Sequence, residues 1–258
     1  MGENSEYQGI GLHLIAKNPV LKTIDTFFPL TSGLITNYYL QSVGLECDGN
    51  SYSTAISCLS RLVSANAGDF DVISGGESRD WDFSNPVAVM LEKPHAKIYK
   101  DGKMLGAEVD GKQVVHVLDI LNYRSSPRNL WVPMIRQAGG KISKIFSFVD
   151  TLEGENALDE MGVECHSVVR LDGDAWRYLG GRIPDKDYDA ILERKFNRDA
   201  WARNMLLSEK GMARLRDLLT YTDPEVRKKA LKIVTNGYPG LKDEIIERLK
   251  GFGVNLIS

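Results

Sequence analysis

Gly111-Lys-Gln-Val-Val-His-Val-Leu-Asp119-Ile-Leu is followed at once by Asn122-Tyr-Arg-Ser-Ser-Pro127. The first run is apolar, rich in β-branched residues and of strand length. The second is a polar turn with a proline placed to open a helix. An apolar strand that ends on an acid and feeds a polar turn at a helix start is a common ligand site in α/β proteins. The first N–H groups of the helix have no partner inside it and face whatever binds there. Downstream, a helical segment ends in Arg136-Gln-Ala-Gly-Gly140 and a strand is expected over 142–149. The run Glu160-Met-Gly-Val-Glu-Cys-His-Ser-Val-Val-Arg-Leu-Asp172 then closes the region with a last strand at 168–171.

Outward from this stretch, strand and helix signals alternate. A short helix fits 6–17, and 20–43 reads as a hairpin around Ser32-Gly33. A helix capped by Asn50 is expected to about residue 65, with Ala55, Ile56, Leu59, Leu62 and Val63 on one face. A buried strand follows at 71–74, and Gly75-Gly76 breaks it. A helix is expected to start at Pro86 behind a Ser84 or Asn85 cap. A strand at 96–99 leads to the turn Asp101-Gly102-Lys103, and 113–118, the most apolar strand, is expected to be central. The pattern predicts an α/β fold, a mainly parallel sheet covered by helices on both faces.

Beyond Pro184 the strand signals stop. Helices are expected at 187–195, 198–219, 224–234 and 241–252, with Asp223-Pro224 as a start signal and Gly237-Tyr-Pro239 as a stop. The expected organisation is therefore one α/β domain over 1–184 and a helical region over 185–258.

The 258 residues are 43% hydrophobic and 26% charged, ordinary values for a globular protein, and the net charge of -3 argues against nucleic-acid binding by bulk charge. Cys47, Cys58 and Cys165 form no CxxC pair, so reduced thiols are expected rather than a disulfide framework or a zinc site. Neither a signal peptide nor a membrane-spanning run is evident, and a cytoplasmic location is expected. No GxxxxGK[ST], GxGxxG or HExxH motif occurs. His116, inside an apolar strand, reads as a core histidine.

The order of elements over about 20–172 resembles the type I phosphoribosyltransferase family, and within it the orotate branch. The likeness is carried by the Arg136–Gly140 helix end, the Asp150-Thr-Leu-Glu-Gly154 turn, the 161–172 segment, and Leu30-Thr-Ser32-Gly33 with Tyr38-Tyr39. It implies a phosphoribosyltransferase-like sheet with an N-terminal hairpin hood and a C-terminal helical appendage. The implied activity is transfer of phosphoribose from phosphoribosyl pyrophosphate to a nitrogen base, with magnesium, in pyrimidine biosynthesis and nucleotide metabolism, by a homodimer. It also implies phosphoribosyl pyrophosphate or a nucleotide monophosphate as ligand.

The family's strand ends in two adjacent acids. Here Leu118 replaces the first, and Asp119 keeps the second as a ribose-hydroxyl or metal ligand; read from the residues alone it is equally an acid capping a strand-to-helix turn. By resemblance, Asn122, Tyr123, Arg124, Ser125 and Ser126 form the 5′-phosphate turn, here without glycine. Glu77, Ser78 and Arg79 stand in the pyrophosphate loop, where Arg79 can equally pair with Asp80 or Asp82. Lys100 stands where a pyrophosphate-binding lysine is expected, with Lys103 beside it; both can equally belong to a solvated turn. Tyr38 and Tyr39 match the element that helps hold the base. Thr151 stands where the orotate-binding arginine is expected. Those departures leave a second function class open, a nucleotide- or sugar-phosphate-binding protein on the same scaffold without catalysis.

Overall fold

The computed structural model describes residues 3–254. Its strands are, in chain order, β1 (Leu21–Pro29), β2 (Ile35–Leu40), β3 (Val72–Gly76), β4 (His95–Ile98), β5 (Met104–Gly106), β6 (Gln113–Leu121), β7 (Lys141–Asp150) and β8 (Glu164–Arg170). The chain divides into two compact units, one running to Val20 and resuming over Gln41–Leu179, the other comprising Leu21–Leu40 and the chain from Gly180 on.

The first unit is a six-stranded sheet in the order β5-β4-β3-β6-β7-β8. All neighbours are parallel except β4 and β5. β6 is central, as its composition predicts, and nearly every residue of it is buried, which is how a strand covered on both faces reads. It runs two residues past Asp119, because Ile120 and Leu121 still pair with Val149 and Asp150 of β7. On one face Trp131, Val132 and Ile135, from the helical segment after the turn, pack with Val114, Leu118, Leu121, Ile142 and Ile145. β5, which the sequence reading left as loop, forms a hairpin with β4. Tyr99 and Lys103 close its turn, and Gly102 takes φ +91 there, a conformation side chains disfavour.

Two helix starts differ from expectation. The Gly49–Asn66 helix is capped by Asp48, whose side chain accepts from the Asn50 N–H, so Asn50 lies inside it. The helix expected at Pro86 already begins at Asp80 and carries Pro86 in its interior. A proline there has no N–H for the carbonyl four residues back. That carbonyl belongs to Asp82, and the Tyr52 hydroxyl donates to it instead. The replacement donor explains how the helix tolerates the proline. Burial, then Asp82 and Glu46, push the Tyr52 hydroxyl up to about 12.

The hairpin β1–β2 groups with the C-terminal helices and not with the 1–184 stretch in which the sequence reading put it. Its Phe27 and Ile35 are wholly buried in one core with Trp201, Leu206, Met212, Leu215, Ile233 and Ile245. Arg194, 1% exposed, lies over the Tyr38 ring and donates to the Ile35 carbonyl. The expected helix 198–219 is two, Arg198–Leu207 and Glu209–Leu219. Ser208 takes an extended conformation and caps the second by accepting from the Gly211 N–H. Asp223 caps Pro224–Lys232 as predicted, accepting from the Glu225 N–H at 2.8 Å. Among the described residues no helix is long and apolar enough to cross a membrane.

The Tyr52 bond gives a two-mutation test. Tyr52→Phe should cost about 1 kcal/mol in urea unfolding, the usual worth of one hydrogen bond. In a Pro86→Ala background, where residue 86 regains its N–H, the same change should cost clearly less. Equal costs in both backgrounds would disprove the substitution of donors.

Candidate functional site

The turn 122–126 and the loop 150–154 leave the carboxyl ends of the adjacent strands β6 and β7 and are tied together. The Arg124 guanidinium is 2% exposed, pairs with Asp150 Oδ2 at 2.8 Å and donates to the Glu153 carbonyl at 2.8 Å. It also reaches the thiol of Cys165, which burial pushes up to about 11. Thr151, buried, donates from Oγ1 to Asn122 Oδ1 at 3.1 Å. Gly154, at φ +65, lies so near the Tyr123 carbonyl that a Cβ would stand 3.2 Å from it. Asn122, Ser125 and Ser126 remain exposed, Tyr123 is half-buried, and a helical stretch opens at Ser125 and runs on to Gln137. Arg124, which the resemblance puts in the 5′-phosphate turn, thus has its charge committed inside the chain. Asn122, Ser125 and Ser126 are the polar side chains this turn exposes to solvent.

A cluster of acids surrounds Asp119. Its carboxylate is 8% exposed. Ser42 Oγ donates to Oδ2 at 2.5 Å and the Ile120 N–H donates to Oδ1 at 2.6 Å. Asp80, the first residue of the helix after β3, is hydrogen-bonded to Asp119. Burial first and the Asp119 charge second raise the Asp80 carboxyl well above the ordinary carboxylate range, which favours its protonated form. Glu46 is raised by burial, Asp82 and Asp119. Asp82 is raised by burial and Asp119, against the opposing charges of Arg79 and Lys97. His116 is fully buried, 2.9 Å from Ser74 Oγ through Nδ1, with Nε2 4.0 Å from Asp80. Burial and the charge of His95 hold it down to about 3; it is a core histidine, as expected, although its Nε2 has no hydrogen-bond partner. Neither Asp80 nor Ser42 was singled out as a site residue. No spacing could have done so, because they meet Asp119 from 39 and 77 positions away.

The loop after β3 carries the other sequence candidates. The Glu77–Ser78 peptide is cis, and Glu77 Oε2 accepts from the Lys100 N–H at 3.0 Å. Ser78 and Arg79 are exposed, as are Lys100 and Lys103, and the Lys103 ammonium lies 5.6 Å from the centre of the Tyr99 ring. Gly75 and Gly76 do not break β3 as expected but are its last two residues, paired with Lys97 and Ile98 of β4, and packing requires both to be glycine. A Cβ on Gly75 would stand 2.1 Å from Ser84 Oγ, and one on Gly76 would stand 2.2 Å from the Trp131 ring. Trp81 donates from its indole to the Gly75 carbonyl and meets Tyr99 edge-on at 4.8 Å. The structure thus brings Glu77 and Lys100 together, and Asp119 to Asp80. Tyr38 and Tyr39 belong to the second unit.

Magnesium prefers six oxygens and commonly takes one or two carboxylates and the substrate's phosphates. Among the described residues no group of three or more His, Cys, Asp or Glu is placed to hold a metal. Both Asp119 oxygens already accept hydrogen bonds, from Ser42 and from the Ile120 N–H. The residues do not fit a resident magnesium at Asp119.

No family model matches the chain. It is 32% identical over 152 residues to the orotate phosphoribosyltransferase of Staphylothermus marinus, a match covering 56% of this chain and 73% of that protein. The orotate phosphoribosyltransferase of Aeropyrum pernix superposes with a TM-score of 0.58 at 22% identity, over 66% of this chain and 99% of that one. The Mycobacterium tuberculosis orotate phosphoribosyltransferase, solved with 5-phospho-alpha-D-ribosyl 1-diphosphate, superposes with a TM-score of 0.50 at 20% identity, over 69% and 99%. With the parallel sheet and the turn at the end of its central strand, these likenesses identify the chain as an orotate phosphoribosyltransferase-like member of the type I phosphoribosyltransferase family.

Proposed function

We propose that this protein is a divergent phosphoribosyltransferase of the orotate type, moving the 5-phosphoribosyl group of phosphoribosyl pyrophosphate onto a nitrogen base. The observation that carries this reading is the exposed turn 122–126 at the carboxyl end of β6, opening a helical stretch and presenting the Ser125 and Ser126 donors. There the 5′-phosphate would sit. Arg79, Lys100 and Lys103, exposed near the ends of β3 and β4, would meet the pyrophosphate side, with Glu77 and Ser78 shaping that loop. As pyrophosphate leaves, the sugar gains oxocarbenium character, and a carboxylate held nearby in a poorly solvated site favours that charge. Asp119 is the acid in position. Magnesium would arrive on the diphosphate. The same reading takes the protein as a cytoplasmic homodimer in pyrimidine nucleotide synthesis, with neither nucleic acid nor membrane as partner.

A second reading, binding of a nucleotide or sugar phosphate without turnover, is favoured by the hydrogen-bonded state of Asp119, which leaves little of that carboxylate for a substrate. One pair of measurements separates them. Purified protein is given phosphoribosyl pyrophosphate, magnesium and a panel of bases including orotate and adenine, and pyrophosphate release is followed; ribose 5-phosphate binding is measured by calorimetry. Release that falls roughly 100-fold in Asp119→Asn supports transfer. Binding without release supports the second reading, and neither signal removes both.

Asp80 supplies a pH test. Its folded pKa lies above the unfolded value of about 4, so above that pH the unfolded chain loses a proton that the folded one retains. The stabilisation is fully present below about pH 4 and is lost as pH rises through the folded value. Asp80→Asn mimics the protonated acid. It should match wild type near pH 4 and become the more stable protein at higher pH. The gap should widen by up to about 1.4 kcal/mol per pH unit while the folded state keeps its proton. A gap independent of pH would refute the raised Asp80 pKa.

A further inference from the structure

The seam between the turn 122–126 and the loop 150–154 is built like a clamp. Arg124 takes φ +54 and Leu152 φ +60, left-handed conformations that L side chains rarely adopt, and Gly154 takes φ +65. The Arg124 N–H folds back on the Asn122 carbonyl. A turn with glycines reaches such shapes freely; this one has none, so its shape must be imposed from outside. The external hold comes from loop 150–154: Asp150 on the guanidinium, the Glu153 carbonyl on the same fork, and Thr151 on Asn122. Asp150 is itself oriented by the Leu152 N–H, which donates to its other oxygen at 2.8 Å.

We propose that Arg124 is a positioning residue, which through its ion pair with Asp150 sets the phosphate-receiving shape of the turn and does not touch the phosphate. This rests on the preceding reading that the turn receives a phosphate. Two facts support it. The guanidinium is 2% exposed, and its charge is met by a carboxylate at 2.8 Å, so little of its field reaches a ligand at Ser125 and Ser126.

The test uses the full chain and ribose 5-phosphate, measured by calorimetry. Were Arg124 a ligand of the phosphate, Asp150→Asn would free its charge and remove a nearby negative one, and affinity would hold or rise. The positioning role demands the opposite. Asp150→Asn and Arg124→Gln should each weaken binding by roughly tenfold, and the double variant should be no weaker than either single one, because both break the same pair. The milder Thr151→Val cuts the bond to Asn122 and leaves every charge in place. It should weaken binding a few-fold, and it decides the matter should the charge variants fail to fold. Limited trypsin digestion read by mass spectrometry needs no ligand: the Arg124–Ser125 bond should resist in wild type and be cut in Asp150→Asn. Binding as tight in Asp150→Asn as in wild type, or equal resistance to trypsin, overturns the proposal. Wild type that binds no ribose 5-phosphate, with trypsin still opening the variant, would remove the phosphate reading and leave the clamp.

Discussion

A guanidinium buried against a carboxylate governs the carboxyl edge of the sheet. Taking either charge out of water is expensive, and the pair survives because each partner has further hydrogen bonds: Arg124 to the Glu153 carbonyl, Asp150 to the Leu152 N–H. Removing one member of such a pair strands the other and typically costs about 3–5 kcal/mol. The consequence is geometric as well as energetic. Leu121 pairs with Asp150 across β6 and β7, and the Thr151 N–H donates to the Leu121 carbonyl, so the seam continues the ladder beyond the strands. The turn that faces solvent is therefore held to the most buried strand of the unit.

The electrostatics beside it are of the other sign. Glu46, Asp80, Asp82 and Asp119 crowd together, and each of the first three is pushed toward its neutral form by burial and by the carboxylates around it. A further anion entering this cluster meets repulsion that only cations can offset. Arg79 and Lys97 act on Asp82, and Lys100 and Lys103 stand exposed on the neighbouring hairpin. A ligand carrying both a phosphate and neutral hydroxyls suits this division, with its charge toward the Ser125–Ser126 donors and the lysines, and its hydroxyls toward the acids.

What was legible in the sequence depended on how local its cause was. The central strand 113–118 announced itself by composition, because burial on both faces demands an apolar run. The Asp223-Pro224 helix start needed only two adjacent residues. Pro86 misled because a proline usually marks a first turn, and the Tyr52 hydroxyl that rescues the helix interior lies 34 residues away. Ser208 divided a helix although nothing in the apolar periodicity of 198–219 breaks there. In the site, Asp119 and the exposed serines were visible from the strand-to-turn pattern. The partners of Arg124 and Asp119 were not, since Asp150, Asp80 and Ser42 approach through the sheet order and leave no spacing signature. The hairpin at 20–43 was recognised as a hairpin, while its partner core could be learned only from Phe27 and Ile35 in place.

Gly75 and Gly76 show how one signal serves two causes. Two glycines at a strand end suggest a backbone bared to a ligand, yet here each is required by a side chain lying on it. Trp131 is the more telling of the two neighbours. It comes from the helical segment that starts at the turn 122–126, and it rests on the last residue of β3, just before the segment that carries Glu77 and Asp80. Asp80 in turn bonds to Asp119, three residues before Asn122. The contacts therefore close a ring: turn, helix, Trp131, Gly76, Asp80, Asp119 and back to the turn. Close-packed interiors do not absorb displacement at one point. The two segments that look independent in the sequence are thus joined through the packed core of the fold.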